Sequence, residues 1–283
     1  MKIYAIAVGL AAAVALSGSV NASPLDVRAN NEGLSIDYKC VFRIMYQLIG
    51  YLNTGTAIGS AAQCSKSNAG DGYVAGAFAL TTKYGTALAA IDEYKKSPKY
   101  NKEFDAFIPT LEKYNQTMSG STEGLDKFCD AWTTAAKNED AFYNAQIVTV
   151  RNLYGEPTVQ VARSLFIRFP LTRAAMTNAA IVGGLDNKDS GLGAIIAATS
   201  AGFSKSVNGT SGNNVKAGSY LVDEFLWLDA FLDKWDKLSK GGSTATTKVY
   251  RGLLKAGFHR FSDTIAFTGL DNKPVSFTCI KLY

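Results

Sequence analysis

Histidine is almost absent. The 283-residue chain has one, His259. A zinc site built from paired histidines is therefore excluded, and the scattered cysteines offer no substitute. A lone histidine reads more readily as a surface or packing residue than as a ligand. A Ser-His-Asp site would have to use it too, and its neighbours "KAGFHRFS" show no nucleophile elbow. No glycine-rich loop ends in Lys-Ser/Thr, and "GGLDNKDSGLG" near Gly183 reads as a plain loop. The net charge of +5 is dispersed, without an arginine-rich stripe, so a nucleic-acid partner has no support. Repeats, heptads and low-complexity tracts are missing. After residue 22 no apolar run reaches membrane-spanning length. One local absence matters most: from Tyr38 to Gly70 there is no Asp or Glu at all.

The first 22 residues, "MKIYAIAVGLAAAVALSGSVNA", have an early lysine, an apolar run and a small-residue end. That is the pattern of a secretory signal cut before Ser23, so the protein is expected to be secreted, with residues 23–283 as its working domain. Four cysteines follow, Cys40, Cys64, Cys129 and Cys279. An even number in a secreted chain points to two disulfides, with three pairings open. If all four are paired, no thiol is left to act as a nucleophile. "NQT" at Asn115 and "NGT" at Asn208 fit the glycosylation pattern and would then mark surface.

The apolar spacing is mainly helical. "DYKCVFRIMYQLIGYL" carries Val41, Met45, Leu48 and Leu52 on one face, with Ser35 or Asp37 as cap and Gly50 weakening its end. "AGAFALTTKYGTALAAIDEYKK" reads as helix. "KEFDAFIPTLEKYNQTM" reads as a helix broken at Pro109, and "LDKFCDAWTTAAKNEDAFYNAQIVTVRNLY" as one long helix. Pro157 opens another, "DEFLWLDAFLDKWDKL" is amphipathic, and "SKSVNGTSGNNVKAGS" is a surface loop. The tail from Asp263 reads as a short hairpin or an extended end. With other motifs missing, carboxylate chemistry remains, and glycoside hydrolysis is its natural case. It needs one protonated acid and one ionised base on opposite sides of the bond.

The order of segments resembles family 46 chitosanases, secreted hydrolases of chitosan. "IPTLEKYNQTMSGSTEGLDKFCDAWTTAAKNEDAFYNAQ" resembles the family's "LP-L" helix, Ser/Gly turn, "W-TAAKD" and "QAQ", with Trp132 on its tryptophan. "LYGEPTVQVA" resembles the acid-Pro step, with Glu156 in the acidic place. "AAIVGG" resembles "DAIVMHG", and "FLDKW" and "RGLLKAG" resemble later segments. The resemblance implies a mainly α, lysozyme-like fold of two lobes with a sugar cleft between them. It implies inverting chemistry: a glutamate at the end of the first long helix as general acid, and an aspartate before "RGYT-G" as base.

The departures fall on that chemistry. The general-acid place falls on Asn53, which cannot donate a proton as an acid. Within "NAGDGYVAG", ungapped alignment on Gly72-Tyr73 puts Asp71 at the family's arginine and Ala69 at its aspartate. A two-residue gap puts Asp71 on the aspartate instead. Asp-Gly is also an ordinary turn pair, and the turn reading is favoured. The aspartate and histidine of "DAIVMHG" have no counterparts from Ala179 onward.

The expected function is thus a chitosanase-like protein, with hydrolysis impaired or lost, that binds chitosan or a related wall glycan. Asn53 and the aromatics Tyr51, Tyr73 and Trp132 are candidates to line the sugar site. It is expected to work as a monomer with no metal, cofactor, nucleic acid or membrane partner. One rival is an active endo-chitosanase using Asp71 with a displaced acid: Glu123, Asp126 or Glu156. Glu156 otherwise reads as structural, pairing with Arg151 or Arg163. The other rival is a secreted interaction protein with no sugar role.

Overall fold

A computed structural model describes residues 35–56, 60–137, 139–262 and 264–278. The signal-like segment 1–22 and Cys279 lie outside them. Helix α1 (Ser35–Thr54) runs through the middle of the core. From Ile44 onward its side chains are buried nearly all round: Ile44, Met45, Tyr46, Leu48, Ile49, Tyr51 and Leu52. Over this stretch it has no solvent face of the kind an amphipathic surface helix shows. Gly50 does not end it. A Cβ at that position would stand 2.9 Å from the Ala77 carbonyl oxygen, so the missing side chain lets the following segment lie against the helix.

A small antiparallel sheet follows, with β1 (Cys64–Lys66), β2 (Tyr73–Ala75) and β3 (Leu80–Thr81) in that order. Cys64 pairs with Ala75, and Val74 with Thr81. The alanine-rich stretch read as one helix is thus strand and turn up to Gly85, and helix α2 only from Thr86 to Tyr94. Backbone conformation decides this. Gly76, Ala79 and Gly85 all have positive φ, which an α-helix cannot contain. Gly76 is held there by crowding, because a Cβ would meet the Gln146 side-chain oxygen at 2.4 Å.

Helix α3 (Ile108–Thr117) carries Pro109 in its first turn rather than breaking there, since proline suits that position. The long stretch after it is two helices, α4 (Phe128–Ala135) and α5 (Glu139–Val150). A π-turn, Arg151–Gly155, then leads into α6 (Glu156–Ser164). The second half holds α7 (Pro170–Gly183), α8 (Leu192–Ala201), the hairpin β4–β5 (Asn214–Ala217, Tyr220–Asp223), α9 (Glu224–Leu238) and α10 (Thr244–Lys255). β4 replaces the end of the expected loop. Of the two forms open for the tail, the hairpin is the one present, β6 (Thr264–Thr268) on β7 (Pro274–Thr278). Asp223 caps α9, accepting from the amides of Phe225 and Leu226. The architecture is mainly α, as the sequence implied. Among the described residues no helix is long and apolar enough to cross a membrane.

Two devices fix the first half. Cys64 and Cys129 are disulfide-bonded, tying β1 to α4. Cys40 is disulfide-bonded as well. Beside the Cys64–Cys129 bridge, Gln146 on α5 is fully buried. It accepts from the Ala77 amide at 2.8 Å and donates to the Ala61 carbonyl at 3.1 Å. The buried Ala77 amide would otherwise have no partner.

Candidate functional site

A cleft of about 560 Å³ opens where four pieces of chain meet. The last turn of α1 brings Asn53. The sheet and its turns bring Asp71, Val74, Phe78, Leu80, Thr81 and Tyr84. The π-turn brings Tyr154, and the C-terminal end of α7 brings Ile181 to Gly184. The two positions singled out in the sequence, 53 and 71, therefore share one cleft. So does the "IVGG" segment, more than a hundred residues further on.

Asn53 is fixed in place. Its Nδ2 donates to the Ile49 carbonyl and to Asn178 Oδ1, both at 2.8 Å. Asn178 is itself buried on α7, so this amide pair pins α1 to α7 beside the cleft. Both Nδ2 hydrogens are spent on the protein. Among the described residues Oδ1 of Asn53 accepts nothing.

Asp71 is a turn residue and a cleft residue together. Its carbonyl accepts from the Lys83 amide, which closes the loop between β1 and β2 onto the end of β3. Its carboxylate lies 3.3 Å from Lys83 Nζ, with both side chains about a quarter exposed. The Lys83 ammonium sits 5.0 Å from the centre of the Tyr84 ring. Tyr84 first and Asp71 second hold the ammonium above its ordinary pKa. Burial pushes the Tyr154 phenol up as well. Among the described lining residues Asp71 is the sole carboxylate.

Other candidates fall elsewhere. Trp132 is fully buried, among Phe104, Phe128 and Phe142, with its indole N–H donated to the Ala61 carbonyl at 2.7 Å. It is a core residue and cannot stack on a sugar. Tyr73 stacks on Phe128 with ring centres 5.5 Å apart, while its neighbour Val74 faces the cleft. Strand alternation alone sends the two side chains opposite ways. Tyr51 is buried, and its hydroxyl accepts from the Leu270 amide at 2.7 Å. Glu123, Asp126 and Glu156 are all exposed and line no part of the cleft. Among the described residues Glu156 makes no ion pair, so neither expected arginine partner holds it. His259 is a packing residue, with its ring between Phe169 and Phe225. Asn115 and Asn208 are exposed. Sequence reasoning missed Tyr84 and Tyr154, the aromatics that do reach the cleft. No spacing marks them, because a turn and a π-turn place them.

The helical core, the small sheet and the cleft where they meet define a lysozyme-like fold. The family model for glycosyl hydrolase family 46 matches residues 59–251, well over half of the chain, and the protein belongs to that family. A chitosanase from Bacillus subtilis (strain 168) is 28% identical over 220 residues, covering 77% of this chain and 74% of the relative. Solved structures agree on the fold. A mutant chitosanase from Bacillus subtilis MY002 complexed with 6 GlcN has a TM-score of 0.70 at 24% identity, covering 88% of this chain and 100% of that one. A Gynuella sunshinyii family 46 chitosanase in complex with chitotetraose has a TM-score of 0.70 at 24% identity, covering 86% and 98%.

Proposed function

We propose that the protein is a secreted member of the family that holds a chitosan-type glucosamine chain in this cleft, with hydrolysis impaired or lost. One observation carries the reading: Asn53 occupies the end of α1 in the cleft wall, and Asp71 is the only carboxylate among the described residues around it. Inverting hydrolysis needs two carboxyl groups about 6.5–9.5 Å apart, one to protonate the leaving oxygen and one to activate water. An amide whose two hydrogens are already bonded to the protein cannot serve as the acid. The chitosanase relative and the oligosaccharide complexes of the structural neighbours support a glycan as the ligand. The active-enzyme rival lacks its acid, since Glu123, Asp126 and Glu156 lie away from the cleft. Secretion rests on the signal-like residues 1–22.

The test uses the mature chain, residues 23–283, with two readouts: reducing-end release from soluble chitosan, and calorimetric titration with glucosamine oligosaccharides of graded acetylation. Binding without turnover is expected. Turnover would overturn the loss of catalysis. Absence of binding to every oligosaccharide would overturn the glycan role and favour the interaction protein.

A further inference from the structure

The charge of the cleft decides which glucosamine chain suits it. Among the described lining residues only Asp71 carries a formal charge, and Lys83 neutralises it from 3.3 Å. Apart from the Asn53 amide, the wall is apolar or hydroxylic, with Val74, Phe78, Leu80 and Ile181 beside Thr81 and Tyr84. Val182 is 59% exposed at its rim. A deacetylated chain brings one ammonium per sugar. An ammonium that loses water in a groove without an unpaired carboxylate recovers only what neutral acceptors such as Asn53 Oδ1 return, less than its desolvation costs. Acetylation removes that charge and supplies an amide N–H and a methyl group. The cleft has a counterpart for each. Asn53 Oδ1 is an unspent acceptor, because both amide hydrogens are committed to Ile49 and Asn178. Ile181 and Val182 offer apolar surface to a methyl group.

We propose that the cleft selects N-acetylated glucosamine chains over fully deacetylated ones. This rests on the reading of the cleft as a glucosamine-glycan site and adds the form of the sugar. The proposal is tested by calorimetric titration of the mature protein with chitohexaose and with its fully N-acetylated counterpart, at low and high salt, where the free amines are protonated. The acetylated chain is expected to bind about tenfold more tightly or better, as burial of two or more methyl groups would give. Its affinity should hardly change with salt. A Val182→Asp variant, which puts a carboxylate on the exposed rim, should shift the preference towards the deacetylated chain, and high salt should reverse that shift. Tighter binding of the deacetylated chain by the parent, weakened by salt, would overturn this proposal and leave the glycan reading standing. Equal binding would also overturn it. Failure of both ligands to bind would overturn the two together.

Discussion

Replacing Asn53 by glutamate would return an acid to the end of α1, and the structure sets both the gain and the cost. General acid catalysis contributes about 10²–10⁴ in rate, or about 3–5 kcal/mol of barrier. If Asp71 can still activate water, Asn53→Glu should create chitosan hydrolysis where the parent has none. The cost follows from two lost donor bonds, to the Ile49 carbonyl and to Asn178 Oδ1. At about 0.5–1.5 kcal/mol each, the variant should be about 1–3 kcal/mol less stable. For a domain of this size that lowers Tm by about 2–12 °C. Both freed partners are acceptor oxygens, so they favour the protonated form of a new carboxyl and raise its pKa. With a raised folded pKa, the variant's stability relative to the parent is greatest below the unfolded glutamate value of about 4.3 and falls as pH rises through the folded value. Activity, which needs the same proton, should fall on the same alkaline side. Reducing-end release across pH and a thermal melt read both effects. Asn53→Gln keeps the amide and should stay inactive. Adding Asp71→Asn to the glutamate variant should abolish the gained activity. A folded Asn53→Glu protein with no activity would show that Asp71, paired with Lys83, does not activate water. An active Asn53→Gln protein would refute the argument from proton donation.

Three further outcomes follow from the fold. Removing the Cys64–Cys129 bridge by replacing both cysteines with serine frees a loop with a sequence separation of 65 residues. The chain-entropy relation gives about 4 kcal/mol of lost stability, readable by denaturant unfolding, and a loss below about 1 kcal/mol would contradict it. Trp132→Ala should cost about 3–5 kcal/mol, since the indole is fully buried and its N–H is bonded. A near-neutral result in a melt would show that the residue is not packed as described. Burial first and Arg260 second lower the pKa of His259, against an opposing pull from Glu224. Its stabilising contribution is therefore full above the unfolded value of about 6.5 and is lost as pH falls through the depressed folded value. No other histidine titrates there, so His259→Gln should flatten the stability profile in that window. An unchanged profile would refute the assignment.

By itself the sequence determined the apolar face that buries α9 and offered a hairpin as one form for the end of the chain. These depend on residues within a turn or two of one another, where periodicity and capping act. It also determined the acid desert from Tyr38 to Gly70, which deprives the end of α1 of a proton donor whatever the exact alignment. Tertiary structure decided the rest. It turned an alanine-rich stretch with good helix propensity into strand and turn, because Gly76 had to lie against Gln146 and Gly85 needed positive φ. It drew Trp132 inward and sent Val74 rather than Tyr73 to the cleft, a choice fixed by the sheet face that meets the core. It also made Asp71 a cleft residue as well as a turn residue. Position 71 meets Asn53 and Ile181 only after α1, the sheet and α7 have packed, and such long-range neighbours have no local signal in the chain.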